Sequence, residues 1–394
     1  MKINLEKSQG LYIAFLALLA ATPALSTDMY LAAIPKIAEG WGVGKDTVNL
    51  TLVLWFASFS FFILVSGSLS DKYGRKPVLT AGLSLFVISS FLCAFAGDVY
   101  QLIVFRILQG AGAGAPSAVV MAIVRDKYDG RDRQRAFAYI MTIVALAPMI
   151  APMIGALLLK FFSWRFIFLS QALLVSFSFV LSFSFIETNI DKLDTPLHRL
   201  VTRYTVHFHN RNFMFAALSM GLLVVPFYGF IAFSPVYYIS MNGLSEQAFS
   251  ILFGVNAFAF MIGARASTFI VRKTGEKRAI TTAIIGCITA GAGVVIFAQS
   301  HYLFFTVFML IFTFSTGVSR PVSGALIVGL VDTDVGSASS FLVFYQFMSG
   351  ALCMALVTRH WADPALFYGG LTLTLSVIVL LLWRRVACII DPDQ

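Results

Sequence analysis

Twelve stretches of about 20 predominantly apolar residues run along this chain, each long enough as a helix to cross a hydrocarbon core of about 30 Å. They fall near residues 11–34, 49–70, 78–96, 101–124, 136–159, 166–186, 212–239, 248–270, 279–298, 303–329, 335–358 and 365–383. Backbone polar groups in hydrocarbon must be satisfied within each segment, so such a chain folds as a bundle of spanning helices. Its 59% hydrophobic and 12% charged content is too apolar for a soluble domain, where about half the residues are apolar and about a quarter charged. The fold class expected is all-α: a polytopic membrane protein of twelve transmembrane helices.

Orientation follows from the lysines and arginines, because cytoplasmic loops retain positive charge. With both termini in the cytoplasm, 20 of the 28 basic residues fall inside, five fall outside (Lys36, Lys45, Lys160, Arg165 and Arg359), and Arg106, Arg265 and Arg320 lie within spans. The net charge of +9 is therefore a topology signal, and nucleic-acid binding is not expected. The first apolar run is too long for the core of a cleaved signal peptide, and its loss would leave an odd number of spans. Cys93, Cys287, Cys353 and Cys388 show no metal or redox spacing and read as small hydrophobes.

The longest polar interruption, Glu187 to Arg211, divides the spans six and six. The expected domains are an N-terminal six-helix bundle (1–186), a cytoplasmic linker (187–211) and a C-terminal six-helix bundle (212–394). Two such halves place a substrate site at their interface near the membrane midplane. His207 and His209 in the linker lack further ligands nearby and read as solvated residues. Internal repetition supports the division. Gly67, Asp71, Gly74, Arg75 and Lys76 after the second span are echoed by Thr268, Arg272, Gly275, Lys277 and Arg278 after the eighth, and Gly112 to Pro116 in the fourth by Gly317 to Pro321 in the tenth. In that alignment Arg106 falls opposite Ile311, so the charge belongs to one half only.

Asp28 is the one carboxylate that the hydropathy pattern places at membrane depth. An ionisable group there costs about 2.5–3.5 kcal/mol on insertion scales, so it faces a water-filled path, a partner charge or a proton relay. Counted at about 1.5 Å per residue, Asp28 in span 1 and Arg106 in span 4 sit at similar depths below the outer surface and can face each other. A purely structural ion pair is the competing reading.

The first inner loop, Gly67 to Lys76, matches at every fixed position the signature Gly-x-x-x-Asp-Arg/Lys-x-Gly-Arg-Arg/Lys of the major facilitator superfamily. Span 4, with Arg106, Gln109, Gly110 and Gly112, resembles that superfamily's second signature. Span 5, with Pro148, Pro152 and Gly155, resembles its antiporter signature, alanine replacing glycine at 147, 151 and 156. The run Thr27-Asp28-Met29-Tyr30-Leu31 is similar to the end of span 1 in twelve-span drug:proton antiporters of the bicyclomycin-resistance (Bcr/CflA) type, with Ala32 in place of a proline. The resemblance covers essentially the whole chain and implies two pseudo-symmetric bundles in the bacterial inner membrane. It also implies a latch of Gly67, Asp71, Gly74 and Arg75 with Asp126 as partner, a helix-packing motif in span 5, and proton transfer linked to Arg106. Small residues and prolines suit such close packing and bending. In this fold span 7, carrying Phe227, Tyr228, Phe233 and Tyr238, lines the cavity; packing or lipid contact is the competing reading for each ring. Tyr30, Gln109 and Arg320 complete the expected cavity set.

A carboxylate couples transport to protons when its proton affinity changes as its surroundings alternate. His198, His207, His209, His301 and His360 all fall in loops or at span ends, which leaves Asp28 as carrier and Arg106 as its partner. The function expected is efflux of small amphipathic molecules such as antibiotics in exchange for protons. The alternatives are a dedicated exporter of an endogenous metabolite, such as a carboxylate siderophore, and a proton-coupled importer. If Arg265 and Arg320 both face the cavity, the charge balance disfavours lipophilic cations. An enzyme is not expected: an aspartyl protease needs a second aspartate at depth, and His-Glu-x-x-His and the ATP-binding loop Gly-x-x-x-x-Gly-Lys-Ser/Thr are both lacking. No cofactor or metal is implied. The partners expected are a small-molecule substrate, protons and the lipid bilayer, and twelve spans make a functional monomer.

Overall fold

The computed structural model describes residues 9–184, 210–297, 299–331 and 335–390. Among these, twelve helices are long and apolar enough to cross a membrane: Gly10–Trp41, Lys45–Tyr73, Arg75–Ala94, Val99–Lys127, Gly130–Phe161, Arg165–Ser182, Arg211–Met241, Glu246–Thr274, Glu276–Phe297, Tyr302–Val328, Gly336–Val357 and Pro364–Ile389. They are spans 1 to 12 below, and each overlaps an apolar stretch read from the sequence. The structure divides into two compact units, Met1–Pro196 and Leu197–Gln394. The expected linker 187–211 lies, except for its last two residues, outside the described residues, and so do His198, His207 and His209.

Both units use the same pairings. In the first, span 2 packs on span 4, span 3 on spans 4 and 6, and span 1 on span 5; in the second, span 8 packs on span 10, span 9 on spans 10 and 12, and span 7 on span 11. Without a hydrophobic drive between helices in lipid, close association rests on small residues that let backbones meet. A Cβ on Gly110 or Gly114 of span 4 would collide with the backbone of span 2 at Trp55 or Phe62, and one on Gly317 of span 10 with the span 8 backbone at Phe260.

Span 1 departs most from its expected form. It runs seven residues further than residue 34, and it is broken. A helix Gln9–Asp28 ends at the aspartate, a short 3-10 segment Leu31–Ala33 follows, and a second helix Ile34–Trp41 continues with Pro35 in its first turn. Tyr30 N–H bonds to the Thr27 carbonyl rather than to that of Ser26. The Ser26 carbonyl is thereby released from the helical ladder for other donors. Span 7 is interrupted too, by a 3-10 turn Leu222–Val224 and a π-helical turn Val236–Met241. Broken helices in corresponding positions of two halves mark binding sites in transporters of repeated design.

Candidate functional site

The released Ser26 carbonyl anchors a polar network in the first unit. Arg106 Nη1 donates to it at 3.3 Å, to Ser26 Oγ at 3.2 Å and to Gln109 Oε1. Gln171 of span 6 donates from Nε2 to the same carbonyl at 3.2 Å and to that of Leu25 at 3.4 Å. Gln109 Nε2 donates to Gln171 Oε1 at 3.1 Å and to Ser90 Oγ at 2.7 Å. Arg106 and Gln109 are fully buried and Gln171 nearly so. Four spans, 1, 3, 4 and 6, therefore meet on one guanidinium and two amides.

Arg106 has no carboxylate within ion-pair distance among the described residues. Aromatic rings surround it instead, those of Tyr30, Trp55 and Phe168 lying with centroids 4.9, 5.5 and 5.7 Å from the guanidinium carbon. Ring quadrupoles attract a desolvated cation by about 2 kcal/mol or more, which offsets part of its burial. Nε and Nη2 carry no hydrogen-bond partner among the described residues.

The expected pairing of Asp28 with Arg106 is therefore corrected. Asp28 is buried, 5% exposed, and its Oδ1 accepts from Thr27 Oγ1 at 2.9 Å. On span 1 Arg106 meets Ser26 and the ring of Tyr30, the residues two before and two after Asp28. Two residues along a helix are about 200° of rotation, so with Ser26 turned to Arg106 the aspartate points away. Beside Asp28 stands the span 5 motif: a Cβ on Gly155 would collide with the Met29 carbonyl, and Ala147, Ala151, Pro152 and Ala156 are buried while Ile150, Met153 and Ile154 are exposed. The motif glycine is thus a seat for the break in span 1.

Other expected positions fall out unevenly. Arg75 ties the inner loop to the end of span 4: Nη1 donates to Asp71 Oδ1 at 2.6 Å and to Ser70 Oγ at 2.7 Å, and Nε donates to Asp126 Oδ2 at 2.8 Å. Gly74, at φ 103°, makes the turn in a region of backbone space that glycine alone enters freely. Gly67 does not share it, lying inside the helix Lys45–Tyr73 with open space where a Cβ would stand. Of the expected cavity residues, Tyr30, Gln109, Phe233 and Tyr238 are packed inside their units. Tyr30 hydroxyl pairs with Thr51 at 2.9 Å, Tyr238 hydroxyl pairs with Thr306 at 2.8 Å, and Phe233 stacks on Tyr368. Tyr228 is buried, while Phe227 and Arg320 are partly exposed. Gln171, Ser26 and Ser90 were not singled out from the sequence. A lone glutamine in the apolar run of span 6 was the available signal.

The Major Facilitator Superfamily profile matches residues 16–354. The chain belongs to the major facilitator superfamily. It is accordingly an integral membrane transporter acting on small molecules, and not an enzyme. Among its relatives in this superfamily are the uncharacterized MFS-type transporter YdgK of Bacillus subtilis (strain 168), 30% identical over 90% of both chains. The multidrug resistance protein MdtL of Escherichia coli O17:K52:H18 (strain UMN026 / ExPEC) is 26% identical over 95% of both, and that of Vibrio parahaemolyticus serotype O3:K6 (strain RIMD 2210633) is 28% identical over 82% of both. Solved structures with the same fold include the nucleoside transporter NupG, TM-score 0.77 at 12% identity over 96% of this chain and 99% of that one. The peptide transporter POT also has TM-score 0.77, at 15% identity over 96% and 95%.

Proposed function

We propose that this transporter is a proton-coupled exporter of the bicyclomycin-resistance type, moving small amphipathic molecules such as antibiotics out across the bacterial inner membrane by alternating access. The supporting observation is Asp28, the one carboxylate at membrane depth among the described spans, seated where a helix breaks and two residues beyond Ser26, whose carbonyl binds an arginine with no counter-ion among the described residues. The MdtL relatives support export. In this reading the two bundles, 1–186 and 212–394, are joined by a cytoplasmic linker (187–211), both termini are cytoplasmic, and one chain is the working unit.

In this reading Asp28 and Arg106 carry the coupling step. A deprotonated Asp28 in apolar surroundings needs a cation, and Arg106 is the one at its level. The segment 29–33 between the two helices turns and swings the carboxylate toward the guanidinium; a proton arriving from outside releases it, and Arg106 returns to its aromatic cage and the Ser26 carbonyl. Substrate arriving from the cytoplasm favours loss of that proton to the inside. Arg75, bound to Asp71 and Asp126, latches the inner ends of spans 2, 3 and 4 as a unit during the change. Substrate contacts fall to Arg320 and Phe227, the partly exposed members of the expected cavity set.

Efflux from proteoliposomes under an imposed pH gradient, native chain against Asp28→Asn, tests the proposal over a mixed panel of antibiotics and carboxylate siderophores. Substrate-dependent proton movement that disappears in the variant is the expected result. Gradient-driven transport surviving the substitution removes Asp28 as carrier.

A further inference from the structure

Two arginines of the second unit, Arg265 and Arg320, stand well away from the ends of their spans, and the structure treats them differently. Arg265 on span 8 is exposed, as suits a long side chain reaching along the helix toward the membrane surface. Arg320 is the nineteenth residue of the 27-residue helix Tyr302–Val328 and is only partly exposed. It stands about 12 Å from that helix's inner end at 1.5 Å per residue.

Arg320 is held by neutral groups. Nη2 donates to Gln346 Oε1 of span 11 at 3.0 Å, and the Tyr228 hydroxyl of span 7 sits against the same guanidinium. No carboxylate among the described residues pairs with it. Glu246, Glu276 and Asp363, the described acids of this unit, all stand at helix ends. An amide and a phenol fix a guanidinium in place without cancelling its charge, so its field remains available to an incoming anion.

The surroundings are aromatic. Phe347 lies with its ring centroid 5.3 Å from that of Tyr228, Phe227 packs edge-on to Tyr228 at 5.8 Å, and Phe260 lies 5.3 Å from Phe227. Gly350 makes the arrangement possible, because any side chain there would collide with the Tyr228 ring. Four residues from spans 7, 8 and 11 thus make an apolar shelf beside one positioned cation.

We propose that Arg320, positioned by Gln346 and Tyr228, is a subsite for the carboxylate of an amphipathic organic acid, whose apolar body rests on Phe227, Phe260 and Phe347. The assignment rests on the transporter reading above and narrows its substrate class. An uncompensated charge at membrane depth is costly unless it serves a passing ligand. A guanidinium offers a carboxylate two parallel hydrogen bonds, which a lysine ammonium does not.

The test measures equilibrium binding of radiolabelled 1-naphthoate and of 1-naphthamide, its neutral isostere, to the purified full-length protein in detergent. The native chain is expected to bind naphthoate at least tenfold more tightly than naphthamide. Arg320→Gln and Arg320→Lys should each lose that preference while keeping naphthamide binding, which also certifies their fold; Gln346→Ala should weaken naphthoate severalfold, and Arg265→Gln should change neither. Equal binding of the two probes, or a naphthoate preference that survives Arg320→Gln, overturns the subsite. Gradient-driven efflux measured in parallel separates the two claims. Arg320-dependent binding without proton-driven efflux sinks the exporter reading and leaves the subsite, whereas efflux indifferent to both probe charge and Arg320 does the reverse.

Discussion

Ser26 and Asp28 differ by two residues, and that interval decides what Arg106 can reach. Ser26 presents both its hydroxyl and its released carbonyl to the guanidinium, while the aspartate is turned about 200° away. Gln171 holds the arrangement, since its amide donates to the same carbonyl and accepts from Gln109. Gln171→Ala should therefore leave a buried carbonyl short of a donor and a buried amide short of an acceptor, at a cost of about 1–3 kcal/mol. The expected outcome is a lowered melting temperature in detergent together with weakened proton coupling in vesicles. Gln171→Glu separates the two effects, because it keeps the acceptor for Gln109 but brings a carboxylate into the network that holds Arg106. If both variants transport like the native chain, Gln171 is a packing residue only. Asp28 and Arg106 were legible from the sequence as isolated charges in apolar runs. Their mutual orientation was not, because it depends on helical phase at a break that hydropathy does not register.

Span 1 and span 5 form the element where local geometry matters most. The break after Asp28 takes backbone out of the helical ladder, and Gly155 lets that backbone approach span 5 directly. Gly155→Val would force the two helices apart, and overpacking of this kind costs about 1–3 kcal/mol; the expected readout is reduced thermal stability and lost transport, with the span 7 to span 11 pairing of the other unit untouched by disulfide trapping. The inner loop gives a different expectation. Arg75→Ala removes the cation that Asp71 and Asp126 share. Transport velocity should fall severalfold, with substrate binding unchanged and partial recovery in the Arg75→Lys protein; weakened binding in the alanine variant would contradict a latch. The loop could be read from sequence because a turn needing φ above zero and a fixed charge order leave few alternatives, as Gly74 shows. Gly67 misled the same reading: it shares the motif, yet it lies within a helix and meets nothing.

Across the whole chain, one set of helix pairings is used twice while the charges are not. The first unit holds Asp28 and the caged Arg106, and the second holds Arg320 among neutral partners. Duplication explains why twelve spans and their order were legible in apolar runs: those depend on composition. Which side chains lie open and which are packed inward was not legible, because Tyr30, Phe233 and Tyr238 have the same composition whether they line a path or fill a core. The uneven charges predict that proton coupling and ligand recognition can be lost separately. At fixed internal pH, the native efflux rate should rise as the outside is acidified, because protonation from that side is the step that releases the carboxylate. Asp28→Asn, which carries no titrating group at that position, should show a flat profile while still binding ligand. Arg320→Gln should keep the slope for neutral compounds and lose organic acids. A single substitution in either unit that removes both properties together would mean that proton and ligand compete at one shared group, and the division of labour between the two units would then be wrong.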